Sequence, residues 1–490
     1  MARYRLALIL ISLTVFLSFG ASTYVQVGTG FPLDDAWIHQ AYARNLALDG
    51  DWAFQAGQPS AGGTSFLWVL LLSIGHLLHL PPVIWSAMLG FALITAMVLM
   101  MAKSAESLLP QNLTAGFAAG LLLLDWHLLW AAHSGMETLL LGCLALALLV
   151  RVIQAEQNRS QPIRYWVGNA LLLGAASITR PDGITLIGPL IVFLIGSSMS
   201  SGRKLFLIGL LVLIPVILYA PYAAINWGNT GSMLPSTFFA KQSEYAVLLE
   251  QGLVTRFLNL IIPLIAGVGI LLVPGFIFLV LSEINKRRWG FSSFGIWVVG
   301  YIGIYVWRLP LAYQHGRYVM PVLPVFLLLG GLGSFRLVEQ IKQARERRVV
   351  QTVVWGSAIA VQLVFLFLGA RALWADTFFI ESQMIATANW VSQNFPPGSR
   401  IAAHDIGALG YFAEIQLYDL AGLVNPEVIP FSQDESRLSK YLDQNEIEYL
   451  IAFPDWYPFL SERGDLIYES PEYFQDGKQT GGLAVFRWQK

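Results

Sequence analysis

Charge is scarce in this chain. Asp, Glu, Lys and Arg make up only 12% of its 490 residues, against about 25% in a soluble domain. With 56% hydrophobic residues, that shortage excludes an ordinary soluble protein and points to an integral membrane protein. The net charge of −1 gives no basis for a nucleic-acid partner. Cysteine is nearly absent as well. Cys143 stands alone inside an apolar run, which excludes an intramolecular disulfide and reads as a small buried hydrophobe. No Cys/His spacing suits zinc. One acidic pair without a wider acidic cluster argues against a bound divalent ion, so neither metal nor cofactor is expected.

Long apolar runs are what the chain has instead. They fall at about 6–27, 82–102, 113–131, 137–153, 165–179, 183–198, 205–225, 257–282, 291–307, 318–334 and 350–370, which predicts about eleven membrane spans. The first run follows Arg3 and Arg5 as a signal peptide would, but its length favours an uncleaved helix.

Lys and Arg set the expected orientation. One set of loops carries sixteen cations: Arg3, Arg5, Lys103, Arg151, Arg159, Arg164, Arg203, Lys204, Lys286, Arg287, Arg288, Arg336, Lys342, Arg345, Arg347 and Arg348. The other carries seven: Arg44, Arg180, Lys241, Arg256, Arg308, Arg317 and Arg371. The richer set is expected in the cytoplasm, with the N-terminus. Residues 65–80 must then not cross; they are expected along the outer membrane surface, with His76 and His79 near the headgroups. That His pair also has a metal-like spacing, but a structural role fits it better without a nearby carboxylate. Past 371 the charges return. Residues 1–371 are expected as a transmembrane domain and 372–490 as a small extracytoplasmic α/β domain. Its expected helix covers 379–394, and its expected strands lie near 400–404, 415–419, 449–453 and 483–487.

Polar residues collect at the outer ends of the spans. Asp34 and Asp35 sit just past the first one. Asp34 suits an N-cap and Asp35 a first helical turn. Capping explains one acid more easily than two, and neighbouring like charges raise one pKa toward that of a general base. Tyr42, Arg44 and Asn45 follow, then the flexible turn Ala61-Gly-Gly-Thr-Ser65 with Thr64. Ser134 and Glu137 have the spacing of a capping box, which is compatible with Glu137 facing a cavity. Arg180 and Asp182 form either an ion pair at the membrane boundary or a ligand contact. Lys241 either snorkels to headgroups or holds a lipid phosphate. His315, Arg317 and Tyr318 precede the tenth run, where an outward Arg beside a helix start suits a phosphate.

The motifs Leu33-Asp-Asp-Ala-Trp-Ile, Tyr42-Ala-Arg-Asn-Leu, Gly62-Gly-Thr-Ser-Phe-Leu-Trp, Ser134-Gly-Met-Glu-Thr, Thr179-Arg-Pro-Asp-Gly, Leu234-Pro-Ser-Thr-Phe-Phe-Ala-Lys and Arg317-Tyr-Val-Met-Pro stand in this order. Together they resemble the GT-C-fold glycosyltransferases, most of all the bacterial group around the mycobacterial terminal arabinofuranosyltransferase. His404-Asp-Ile-Gly-Ala-Leu-Gly-Tyr and Tyr418-Asp-Leu-Ala-Gly-Leu resemble that group's outer domain, so the resemblance covers nearly the whole chain. It implies a multi-pass enzyme of a bacterial plasma membrane and a polyprenyl-phosphate sugar as donor. It further implies a glycan, lipid or protein acceptor, with transfer at the outer face by inversion. The base role carries over to Asp34 or Asp35. Asp34 is preferred because related enzymes with an Asp-Glu pair there use the first acid. Phosphate contacts carry over to Arg180, Lys241 and Arg317. Ser236 stands where that family often has Asn, and Trp37 where Phe or Tyr is common, which leaves sugar and acceptor open. A hexosyl or mannosyl transferase of the same fold is the alternative. A membrane transporter is the rival outside it, but no paired repeat supports one.

Overall fold

The computed structural model describes residues 2–108, 112–157, 161–475 and 478–489. Arg159, one of the sixteen cations above, lies outside them. Helices occupy every predicted apolar run. In chain order they are α1 (Ala2–Gln26), α2 (Asp35–Leu48), α3 (Phe66–Leu77), α4 (Pro82–Leu108), α5 (Asn112–Leu123), α6 (Trp126–His133), α7 (Thr138–Gln157), α8 (Ile163–Thr179), α9 (Ile187–Gly196) and α10 (Ser201–Thr230). They continue with α11 (Ser236–Glu244), α12 (Leu253–Ile265), α13 (Gly269–Asn285), α14 (Trp289–Arg308), the single turn α15 (Tyr313–Gly316), α16 (Leu323–Glu339) and α17 (Ala344–Ile380).

Not every run is a straight span. Among the described residues, seven helices are long and apolar enough to cross a membrane unaided, or eight if one bent pair counts as a span. The bent pair is the 257–282 run, where α12 and α13 meet at 106°. Gly267 at the elbow has φ +111°, a backbone conformation that only glycine adopts cheaply. The 113–131 run breaks at Asp125, whose carboxylate accepts from the Leu128 amide (3.1 Å) and caps α6. Helix α3 has twelve residues, about 18 Å of helix and too short to cross. His76 is fixed by Gln40, with 2.9 Å between Nε2 and Oε1.

At one end of the bundle, buried Glu283 gathers Arg336 (2.9 Å) and Lys286 (3.4 Å). Arg336 lies in the last turn of α16, the helix that begins beside Arg317. Arg317 and the Glu283 cluster therefore sit toward opposite ends of that helix.

Position 371 is no break. Helix α17 runs through it and passes by a π-turn (Glu381–Ile385) into α18 (Ala386–Asn394). A mixed five-stranded sheet follows. Its strands are β3 (Arg400–Ala403), β4 (Gln416–Asp419), β5 (Tyr449–Ala452), β6 (Gly464–Glu469) and β9 (Ala484–Trp488), in the order β4-β3-β5-β9-β6. The two pairs involving β3, with β4 and with β5, are parallel; β9 lies antiparallel to β5 and β6. Four of these strands match the expected ones. Edge strand β6 went unread because Gly464-Asp-Leu-Ile-Tyr-Glu469 is charged and mostly solvent-facing. Two short ribbons complete the strands, β1 (Ala53–Gln55) with β2 (Gln58–Pro59) and β7 (Tyr473–Gln475) with β8 (Lys478–Thr480). Helix α19 (Gly407–Phe412) leaves β3 and packs on α2.

Candidate active site

The adjacent acids part company at the start of α2. Asp34 has helical dihedrals but caps nothing in its own helix. Its two oxygens instead accept from the Gly407 amide (2.6 Å) and the Ala408 amide (2.8 Å), at the start of α19. Those amides would otherwise be left without partners at a helix start. The expected N-cap is thus replaced by a clamp on the C-terminal domain. Burial, then Asp405, pushes the Asp34 carboxyl up to about 7, against the pull of the two amides.

The sign of that shift makes a prediction. A carboxyl that keeps its proton longer in the folded state stabilises fully below its unfolded pKa, near 4. The contribution fades as pH rises through about 7. The thermal midpoint is expected to fall between about pH 5 and about pH 8, and Asp34→Asn to flatten that slope. An unchanged slope in the variant would remove Asp34 from the account.

Asp35, one residue on, turns to the interior and pairs with Arg317. Burial alone would raise its carboxyl, but Arg317 and Lys241 hold it well below the usual carboxylate range. These three groups line one side of a cavity of about 410 Å³. Lys241 is oriented by Glu244 (3.2 Å). Tyr318 backs Arg317, with its ring centroid 5.1 Å from the guanidinium carbon.

A second polar group closes the other side. Arg180 binds Asp182 through Nε (3.1 Å) and Nη2 (2.9 Å), and also donates to the Tyr305 hydroxyl (2.7 Å). Tyr301 and Tyr305 both donate to Asp182 Oδ2. This is an ion pair and a cavity wall at once, since Arg180, Asp182 and Tyr305 all line the space. Glu137 Oε1 lies 3.8 Å from Arg180 Nη1. The expected capping box is absent: the Ser134 hydroxyl accepts from the Met136 amide (3.2 Å) and donates to the Ala131 carbonyl, which leaves the Glu137 side chain to the cavity. Thr64 also lines it, at the end of the Gly62–Gly63 turn. Glycine is required at 62, where a Cβ would come within 2.7 Å of the Leu423 carbonyl.

Four other candidates do not reach the cavity. Tyr42 binds the Ser60 hydroxyl (2.6 Å) and accepts from the Gly62 amide (2.9 Å), which braces the glycine turn. Asn45 donates to the Ala53 and Phe54 carbonyls. Arg44 donates to the Tyr411 carbonyl (2.7 Å) and, with Asp34, fastens the C-terminal domain. His315 faces α17: its Nε2 lies 2.7 Å from Asp376 Oδ2, which also accepts from Trp130 (2.9 Å).

That last contact has a use. Gln314 and His315 have φ of +53° and +60°, strained for residues with side chains. The Asp376–His315 latch holds the turn that presents Arg317. Asp376→Ala is expected to free this strained turn and to lower the thermal midpoint by a few degrees without altering the cavity lining. An unchanged midpoint would make the latch irrelevant to the turn.

The C-terminal domain supplies part of the wall. Leu423 lines the cavity, and its carbonyl accepts from the Ser236 hydroxyl (2.7 Å). Sequence reasoning did not single out His39 or Tyr305, which also line the space. Asp35, Ile38 and His39 stand at i, i+3 and i+4 of α2, one helical face, and that spacing was readable. Beside the polar cavity lies an apolar groove of about 790 Å³ against α10, floored by Pro215, Tyr219 and Ala223. Pro181 and Leu234 line both spaces.

The C-terminal domain, over residues 376–483, matches a domain of unknown function (DUF8728). No curated protein matches the chain. Solved structures do. ArnT from Cupriavidus metallidurans bound to undecaprenyl phosphate is 15% identical, with a TM-score of 0.66 over 99% of this chain and 98% of that one. The archaeal oligosaccharyltransferase AglB from Archaeoglobus fulgidus, in complex with an inhibitory peptide and a dolichol-phosphate, is 10% identical. Its TM-score is 0.61 over 98% of this chain and 74% of that one. Arabinofuranosyltransferase AftD from Mycobacteria is 16% identical, with a TM-score of 0.55 over the whole of this chain and 40% of that one.

Proposed function

We propose that this chain, which shares the GT-C fold of those three proteins, is a membrane glycosyltransferase. It would move a sugar from a polyprenyl-phosphate donor to a glycan or lipid acceptor at the outer face of the membrane. One observation carries this reading. Asp35 stands against Arg317 and Lys241 in a polar cavity that adjoins an apolar groove. A phosphate joined to a lipid needs that combination. The groove suits the prenyl chain, and the two cations suit the phosphate.

The chemistry follows from the charges. The acceptor hydroxyl attacks the anomeric carbon, and a new C–O bond forms. The bond from that carbon to the phosphate oxygen breaks, and the phosphate leaves with the electron pair. Arg317 and Lys241 stabilise the charge it gains. Asp35 takes the acceptor proton. Direct displacement inverts the anomeric centre.

Geometry favours Asp35 over Asp34 as the base, because only Asp35 lines the cavity while Asp34 is held by two amides. The pairing with Arg317 looks unfavourable for a base, since it keeps the Asp35 carboxylate weakly basic. A bound phosphate would draw Arg317 and Lys241 to itself and release Asp35 to rise toward a working pKa. The base would then be strongest only with donor in place.

The reading is tested with purified protein in nanodiscs and polyprenyl-phosphate donors carrying arabinofuranose, mannose or glucose. Transfer or slow hydrolysis of one donor is expected. Folded protein that neither turns over nor binds any of them would defeat the proposal.

A further inference from the structure

Three buried polar atoms in the cavity have no hydrogen-bond partner among the described residues: His39 Nδ1, Glu137 Oε2 and Arg317 Nη1. The residues are only 4%, 5% and 4% exposed. Buried groups of this kind are costly unless something bonds them. Arg317 already belongs to the phosphate side. His39 and Glu137 do not.

Nδ1 of His39 and Oε2 of Glu137 face each other across 3.8 Å, too far for a hydrogen bond. A single oxygen set to one side of that line can lie about 2.8 Å from both. Burial lowers the pKa of His39, so the ring is neutral. The Glu137 carboxylate favours the tautomer with its proton on Nδ1. The pair then offers one donor and one acceptor. A hydroxyl matches both, because it accepts from the ring and donates to the carboxylate. An ammonium group has no lone pair to accept with, and a carboxylate has no proton to give.

We propose that His39 and Glu137 form the specificity-determining pair of this cavity, and that they read one hydroxyl of an uncharged donor sugar. This rests on the donor reading above and adds to it the class of sugar and two residues that select it.

The test separates the two readings. Sugar-free polyprenyl phosphate measures the phosphate and lipid contacts alone. A neutral polyprenyl-phosphate donor is then compared with counterparts in which an amine or a carboxyl group replaces the hydroxyl function at each ring position in turn. The wild-type protein is expected to lose at least about a hundredfold in kcat/KM at one position with either replacement. His39→Ala and Glu137→Gln should each lose about tenfold or more on the neutral donor and narrow that ratio. Their affinity for the sugar-free carrier should stay within about twofold. The proposal is overturned if wild type accepts the charged donors as well as the neutral one at every position. It is equally overturned if both variants keep the full preference. Should a variant fail to fold, the wild-type donor series still decides. Wild type that does not bind the sugar-free carrier would instead bring down the donor reading, and this one with it.

Discussion

Asp35→Asn is expected to lower sugar transfer about a thousandfold, as loss of a general base does, which is about 4 kcal/mol of barrier. Asn keeps the shape of the side chain but cannot take the acceptor proton. It also removes the carboxylate that competes for Arg317. Affinity for polyprenyl phosphate should therefore hold or improve while transfer is lost. That opposite movement separates loss of a base from loss of a fold. Asp34→Asn is the matched control. It gives up one of two amide contacts to the C-terminal domain, and transfer should fall only about tenfold, for lost positioning. If instead Asp34→Asn abolishes transfer and Asp35→Asn leaves it intact, the base is the first acid and the geometry has misled.

Arg317→Ala carries the second large effect. Arg317 is almost fully buried and pairs with Asp35, and its side chain, whose Nη1 has no hydrogen-bond partner among the described residues, lines the cavity. A charge-assisted hydrogen bond contributes about 1.5–3 kcal/mol, so affinity for polyprenyl phosphate should fall about ten- to a hundredfold. Asp35 would also lose its close partner, and the variant should melt at lower temperature. Arg317→Lys keeps the charge without the planar fork and should fall between the two. Titration of carrier phosphate into nanodisc-embedded protein measures all three. Equal affinity in all three would move the phosphate away from Arg317 and toward Arg180.

The contrast between Asp34 and Asp35 also shows how far the residues could be read in order. The pair was visible as an outer-rim feature, because two carboxylates beside an apolar span are costly without a purpose. Their division of labour was not visible. It depends on Gly407 and Ala408 of the C-terminal domain, which lie far along the chain from Asp34. The same holds for Arg44 against Tyr411 and for His315 against Asp376. Both fasten segments that are distant in the chain. Glu137 went the other way: its local spacing suggested a cap, and the tertiary neighbours Arg180 and His39 assign it to the cavity.

Other features were decided locally and were legible. The apolar runs were fixed in place by the cost of exposing unpaired backbone to lipid, which allows little but helices there. Strands β3, β4, β5 and β9 followed from short β-branched and aromatic segments in a region where charge returns. The straightness of the helices was another matter, since the 106° bend between α12 and α13 depends on one glycine and its packing.

The sequence by itself determined a membrane-embedded helical bundle, a mixed α/β domain after it, and a set of polar residues at one end. These follow from periodicity and transfer free energy, which act over a few residues. Only the tertiary structure decided which of those residues share a cavity, which clamp the C-terminal domain, and that His39 belongs with Glu137. Such assignments require side chains from distant segments to meet within a few ångströms, and no short-range pattern encodes that meeting.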